Sequence, residues 1–99
     1  MICAIFITTQ NKIMIKVKRF TASWCSPCKQ LAPLFEQLEG LFPNVQFETI
    51  DVDASPNEVS NNMITSVPTV IFFKDGVAKQ RFSGIQSKSI YVDTINSLI

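Results

Sequence analysis

Apolar and polar positions alternate between two rhythms along the chain. Residues 13–20, IMIKVKRF, are rich in β-branched and apolar side chains and predict a strand. From Ser26 onward the apolar side chains fall at Leu31, Leu34, Phe35, Leu38, Leu41 and Phe42. Steps of three and four put them on one stripe of a helix. Pro33 lies inside that stripe and predicts a kink, since it removes a backbone donor. Gly40 and Pro43 mark the helix end. Residues 45–52, VQFETIDV, predict a second strand. Residues 55–58, SPNE, then open a short helix that runs to about Met63. There Ser55 is the expected cap, Pro56 fits the first helical position, and Glu58 can complete a capping box. A third strand follows over 69–74, TVIFFK. Asp75-Gly76 then signals a hairpin into a fourth strand, VAKQRFS, which ends at Gly84. A last helix begins near Ser87, with Ile90, Tyr91, Ile95 and Leu98 on its apolar side.

The order β-α-β-α-β-β-α combines a parallel pair joined by a helical crossover with a terminal hairpin. It predicts an α/β fold with a mixed central sheet and helices on both faces. Residues 13–99 make one domain, and residues 1–12 are an N-terminal extension or irregular strand. CAIFIT has strand composition, but about four residues separate it from the next strand, too few for a parallel crossover in one sheet.

Composition narrows the class. The chain has 99 residues, of which 46 % are hydrophobic, so a single packed core is within reach. Charged residues are 17 % and the net charge is +1, which argues against nucleic-acid binding through a strong basic field and against disorder. No internal repeat is seen. The N-terminal apolar run of roughly seven residues lacks the basic start of a secretory signal and is too short to span a membrane. A cytoplasmic protein is expected. Lys12, Lys16, Lys18 and Arg19 cluster near the first strand and read as a solvated strand end, against a docking patch for an acidic partner.

Three cysteines, Cys3, Cys25 and Cys28, are too few and too odd in number for a secreted disulfide scaffold. The chain has no histidine. Cys25 and Cys28 stand three apart at the start of the first helix. A zinc site usually needs four Cys or His ligands, and a staple across so short a loop stabilises little. A redox pair is the preferred reading, with a zinc site and a static staple as the alternatives. Helix N-termini favour negative charge, so Cys25 is the expected nucleophile. A free thiol near pKa ~8.5 is only about 3 % thiolate at pH 7, so this help matters. Cys28 is then the resolving thiol of a thiol–disulfide exchange. Cys3 reads as a thiol with no role, or as a site of intermolecular pairing.

These residues carry a resemblance. FTASWCSPCKQLAP resembles the active-site segment of thioredoxins, usually W-C-G-P-C-K, and IDVD, SVPT, FFKDG and Gly84 follow at thioredoxin-like spacings. The resemblance covers the chain from about Ile13 to Ile99 and is closest to short thioredoxins of phages and some microbes. It implies that Cys25 attacks and Cys28 resolves. Trp24, with Ser26 and Pro27, then belongs to the substrate-docking surface. Pro68 is implied as a cis-proline facing the disulfide, with Val67 offering its backbone to an extended substrate. Gly84 would line the groove, and Pro33 would be the family's helix-kinking proline. The implied activity is protein-disulfide reduction with no cofactor beyond the Cys25–Cys28 disulfide, with a thioredoxin reductase as electron donor and the protein acting as a monomer.

Four positions depart from the family pattern. Ser26 replaces the usual Gly. Arg19 stands where thioredoxins bury an Asp behind the second cysteine, and Thr49 where some carry its Lys partner, so that buried pair is absent. The family's first strand and helix are missing or reduced to residues 1–12. Arg19 and Lys29 are candidate modulators of the thiols, the duller alternative for Arg19 being a side chain that snorkels to solvent. The alternatives are a redox-incidental adapter subunit of a larger enzyme and a glutaredoxin-like reductase. The Ser-Pro pair between the cysteines and a lone glycine before the last helix disfavour the second.

Overall fold

A computed structural model describes residues 14–99; Cys3, Lys12 and the expected N-terminal extension lie outside the described residues. The elements are β1 (Ile15–Thr21), α1 (Ser26–Leu41), β2 (Gln46–Asp51), α2 (Pro56–Asn61), β3 (Thr69–Lys74), β4 (Val77–Ser83) and α3 (Lys88–Leu98). Their order is the one the sequence predicts, with ends displaced by a residue or two. Among the described residues no helix is long and apolar enough to cross a membrane.

The sheet runs β2-β1-β3-β4. β1 pairs parallel with β2 and antiparallel with β3, which pairs antiparallel with β4. The parallel pair needs a long crossover, and α1 supplies it. Asp75 and Gly76 both take positive φ, 53° and 85°, as the tight hairpin between β3 and β4 requires. The same turn also holds the start of β1, because Asp75 N–H donates to the Met14 carbonyl and Met14 N–H to Asp75 Oδ1. On β4, Lys79 is an extra residue: Phe72 faces Gln80 while Phe73 faces Ala78.

Period-two alternation splits β1 between two faces. Val17 points into the main core with Val70 and Phe72 of β3. There Leu31, Phe35 and Leu38 of α1 and Tyr91 and Ile95 of α3 close over it. Phe20 points the other way, into a smaller cluster with Ile50 and Ile71. The α2 side is covered thinly, since α2 has six residues and none of them is buried. Polar ties hold it instead. Glu58 pairs with Lys18 Nζ of β1 at 3.0 Å, and the Arg81 guanidinium of β4 donates to the carbonyls of Asn62 and Met63.

Three expectations are corrected here. Ser55 precedes α2 as predicted, but its side chain makes no capping bond, and Glu58 turns to Lys18 instead of closing a capping box. Ile90 is exposed; Tyr91 and Ile95 carry the buried side of α3. The basic residues of β1 are less solvated than the strand-end reading expects, since Lys18 is largely covered and Arg19 Nε is buried. Alternation sends Lys18 to Glu58 and Glu48 on one face and Arg19 to Phe35 on the other. α1 is continuous through Pro33, which sits on its exposed side.

Candidate active site

The site forms where the C-terminal end of β1 delivers the chain to α1. Ala22 is buried, and its carbonyl accepts the Cys25 N–H at 3.2 Å, closing a tight turn. Cys25 is the N-cap of α1, in extended conformation, and Pro27 lies in the first turn, where a missing N–H costs nothing. The Cys28 N–H, one of the helix's unpaired donors, points at Cys25 Sγ at 3.2 Å. Cys25 and Cys28 are joined as a disulfide, with Cα atoms 5.3 Å apart.

The two sulfurs are not equivalent. Cys25 is 5 % exposed and Cys28 1 %, so an incoming substrate meets Cys25 first. The donor aimed at Cys25 Sγ favours negative charge on that atom when the bond opens. Ala22, Val52 and Val67 pack around the pair and keep it largely dry.

Val67 brings in the second wall of the site. The Val67–Pro68 peptide is cis, as the resemblance implies, and Pro68 is buried. Two hydrogen bonds fix this segment. Thr69 Oγ1 donates to the Ser66 carbonyl at 2.7 Å, and the Gly84 N–H donates to the Pro68 carbonyl at 2.8 Å. Gly84 takes φ +85°, which a glycine adopts without strain. Val67 itself makes no backbone hydrogen bond among the described residues, so its N–H and C=O are free for an extended chain laid beside Cys25.

Trp24 is 67 % exposed at the rim, and its indole N–H donates to Asp53 Oδ2 at 2.9 Å. Asp53 was quoted within IDVD, but its bond to Trp24 has no sequence signal beyond the motif itself. A groove of about 260 Å³ runs from Trp24 past Val52 to Ser66 and Val67. The structure therefore brings together Trp24, Cys25, Cys28, Val67, Pro68 and Gly84. Ser26, Pro27 and Lys29 lie exposed on the first turn of α1.

Arg19 is oriented elsewhere. Its guanidinium lies 5.3 Å from the Phe35 ring, and Nη2 donates to Thr49 Oγ1 at 3.0 Å. Phe35 is seven residues beyond Cys28, about 10 Å along α1. The two positions where the family carries a charged pair are thus still bonded to each other, as Arg and Thr. Burial pushes the Arg19 pKa below its ordinary value, partly offset by attraction to Glu39. Its Nε is buried and has no partner among the described residues.

A cysteine pair at a helix N-terminus, beside a cis-proline and on a mixed sheet, defines a thiol–disulfide oxidoreductase. The comparisons agree. The thioredoxin family model matches residues 6–97. The chain is similar to the thioredoxin of Chlamydia trachomatis, at 38 % identity over 77 residues, 78 % of this chain and 76 % of the relative. It is also similar to that of Mycoplasma genitalium, at 36 % identity over 78 residues, 79 % and 76 % respectively. Among solved structures, Fasciola hepatica thioredoxin superposes with a TM-score of 0.81 at 33 % identity, covering 97 % of this chain and 91 % of that one. The chain belongs to the thioredoxin family.

Proposed function

We propose that this thiol–disulfide oxidoreductase works as a cytoplasmic, monomeric thioredoxin that reduces disulfides in protein substrates. The Cys25 thiolate attacks one sulfur of a substrate disulfide. A Cys25–substrate S–S bond forms, the substrate S–S bond breaks, and the departing sulfur takes a proton. The Cys28 thiolate then attacks Cys25 Sγ, and the second substrate sulfur leaves and is protonated. The substrate gains two electrons and two protons, and the Cys25–Cys28 disulfide remains. A thioredoxin reductase returns the electrons, and no cofactor beyond the disulfide takes part. Trp24, Ser26, Pro27, Val67, Pro68 and Gly84 bind the substrate segment. Arg19 and Lys29 act as background positive charge favouring thiolates, weakly, because Arg19 leans toward Phe35 and Lys29 is exposed.

The observation that carries this reading is the asymmetry of the pair. Cys25 is the more accessible sulfur, is the one the Cys28 N–H points at, and lies beside the unpaired backbone of Val67. Insulin reduction with dithiothreitol as electron source tests it. Cys25→Ser should abolish turnover, and Cys28→Ser should accumulate a mixed disulfide with the substrate. Turnover that survives Cys25→Ser would sink the reductase reading. A wild type inactive on insulin, with partner binding intact in Cys25→Ser, would favour the adapter alternative.

A further inference from the structure

The ring of Tyr91 and its hydroxyl do different things. The ring is fully buried and packed against three others, Phe35 at 5.3 Å, Phe82 at 6.0 Å and Phe72 at 6.2 Å between centroids. Packing on three sides fixes where its oxygen sits. That oxygen leaves the core and accepts the Gln86 N–H at 3.1 Å. Filling the core needs no oxygen here; phenylalanine would supply the same ring.

Gln86 belongs to residues 84–87, the irregular segment between β4 and α3. Its ties are few. Gly84 N–H reaches the Pro68 carbonyl, Gln86 N–H reaches Tyr91, and the Ser87 carbonyl accepts the Ile90 and Tyr91 N–H groups at the start of α3. Between them Ile85, 43 % exposed, makes no backbone hydrogen bond among the described residues. Gly84 stands beside the cis-proline wall through its bond to the Pro68 carbonyl, and Ile85 is the next residue in the chain. The segment is thus anchored at Gly84 and at Ser87, and between these ends the Tyr91 hydroxyl holds Gln86; without it Ile85 and Gln86 have no backbone hydrogen bond among the described residues.

We propose that the Tyr91 hydroxyl is a positioning group for substrate binding. By holding the Gln86 N–H it restrains Ile85 and Gln86 beside Gly84, itself bonded to the Pro68 carbonyl, so that this side of the cis-proline is preformed for an extended protein segment. The inference rests on the reductase reading above. It concerns only substrates long enough to touch this edge, because the sulfurs and the α1 N-terminus are held independently. Burial also keeps the phenol protonated beyond its ordinary range, so the neutral acceptor persists at physiological pH.

Tyr91→Phe keeps the ring and removes the oxygen. With dithiothreitol as electron source, its KM for insulin should rise about two- to tenfold, the worth of one neutral hydrogen bond. Its kcat for insulin and its rate with a small aromatic disulfide should match wild type. Amide exchange at Gln86 should quicken in the variant. An unchanged KM for insulin overturns the proposal. So does an equal loss on both substrates, which would mark general damage, and so does unaltered exchange at Gln86. A wild type that fails to reduce insulin removes the reductase reading instead; the exchange at Gln86 then still decides whether the hydroxyl holds the segment.

Discussion

Arg19 shows how far a residue's identity fixes its role. The sequence marks it as a cation at an unusual place, and side-chain length decides the rest. A short carboxylate at this position would stay near the end of β1, whereas an arginine reaches across Phe35 to Thr49 on the neighbouring strand. The charge gains a cation–π contact, worth about 0.5–1 kcal/mol at a partly exposed site, and loses hydration. The two effects nearly cancel. Arg19→Met, which keeps the contact with the ring, should change the unfolding free energy by less than about 1 kcal/mol in either direction. Arg19→Ala should cost more, because the Phe35 ring loses its cover. Urea melts of the two variants check this; a large loss in Arg19→Met would mean that the charge itself is structural. The cysteine pair was legible from residue type and spacing, and the cis peptide at Pro68 from the family resemblance alone. The Asp53 bond to Trp24 and the Tyr91 bond to Gln86 were not, because each depends on where two distant elements meet.

At the scale of elements, α1 and α2 are stabilised by opposite means. α1 has a buried stripe, and periodicity found Leu31, Phe35 and Leu38 on it, whereas Leu41, expected on the same stripe, is exposed. α2 has no buried residue, and SPNE signalled a helix start without revealing what holds the helix in place. The capping box failed because Glu58 had a better partner. Lys18 offers it a charge-assisted bond across the sheet, which outcompetes a neutral backbone N–H. Such a competition cannot be seen within one segment. At the other end, Arg81 donates to Asn62 O at 2.7 Å and Met63 O at 2.6 Å, the C-cap residue and the one after it, and so ties the exit of α2 to β4. Arg81→Met should therefore loosen α2 selectively. Amide exchange over 56–64 should accelerate while that of α1 stays put, and global stability should fall by about 1 kcal/mol. Uniform acceleration across both helices would contradict this account.

For the whole molecule the order of elements was legible and the unequal covering of the two sheet faces was not. Alternation says which side chains share a face; it does not say how much chain lies over that face. The main core lies under α1 and α3, and among the described residues Tyr91 is its one ionisable side chain. This makes alkaline stability a property of the fold. Burial raises the Tyr91 pKa above its ordinary 10.0, and the bond from Gln86 offsets part of that rise. Below about pH 10 the phenol is protonated in both folded and unfolded chains, and its contribution is fully present. As pH climbs toward the folded-state pKa the unfolded chain ionises first, and stability falls. Thermal melts between pH 9 and 11 should show this decline in wild type and a shallower one in Tyr91→Phe. Parallel curves for the two proteins would count against it.

The extra residue on β4 has a consequence beyond local geometry. β4 is an edge of the sheet, and its outer row of amides and carbonyls could template a strand from another copy. The register break at Lys79 interrupts that row, and the charges of Lys79 and Arg81 tax any strand that tries to continue it. The edge is thereby discouraged from pairing with a second copy of the chain. On the function proposed above, extended peptide is taken up at the cysteine end, while strand pairing along the flank, which would lead to fibres, is discouraged.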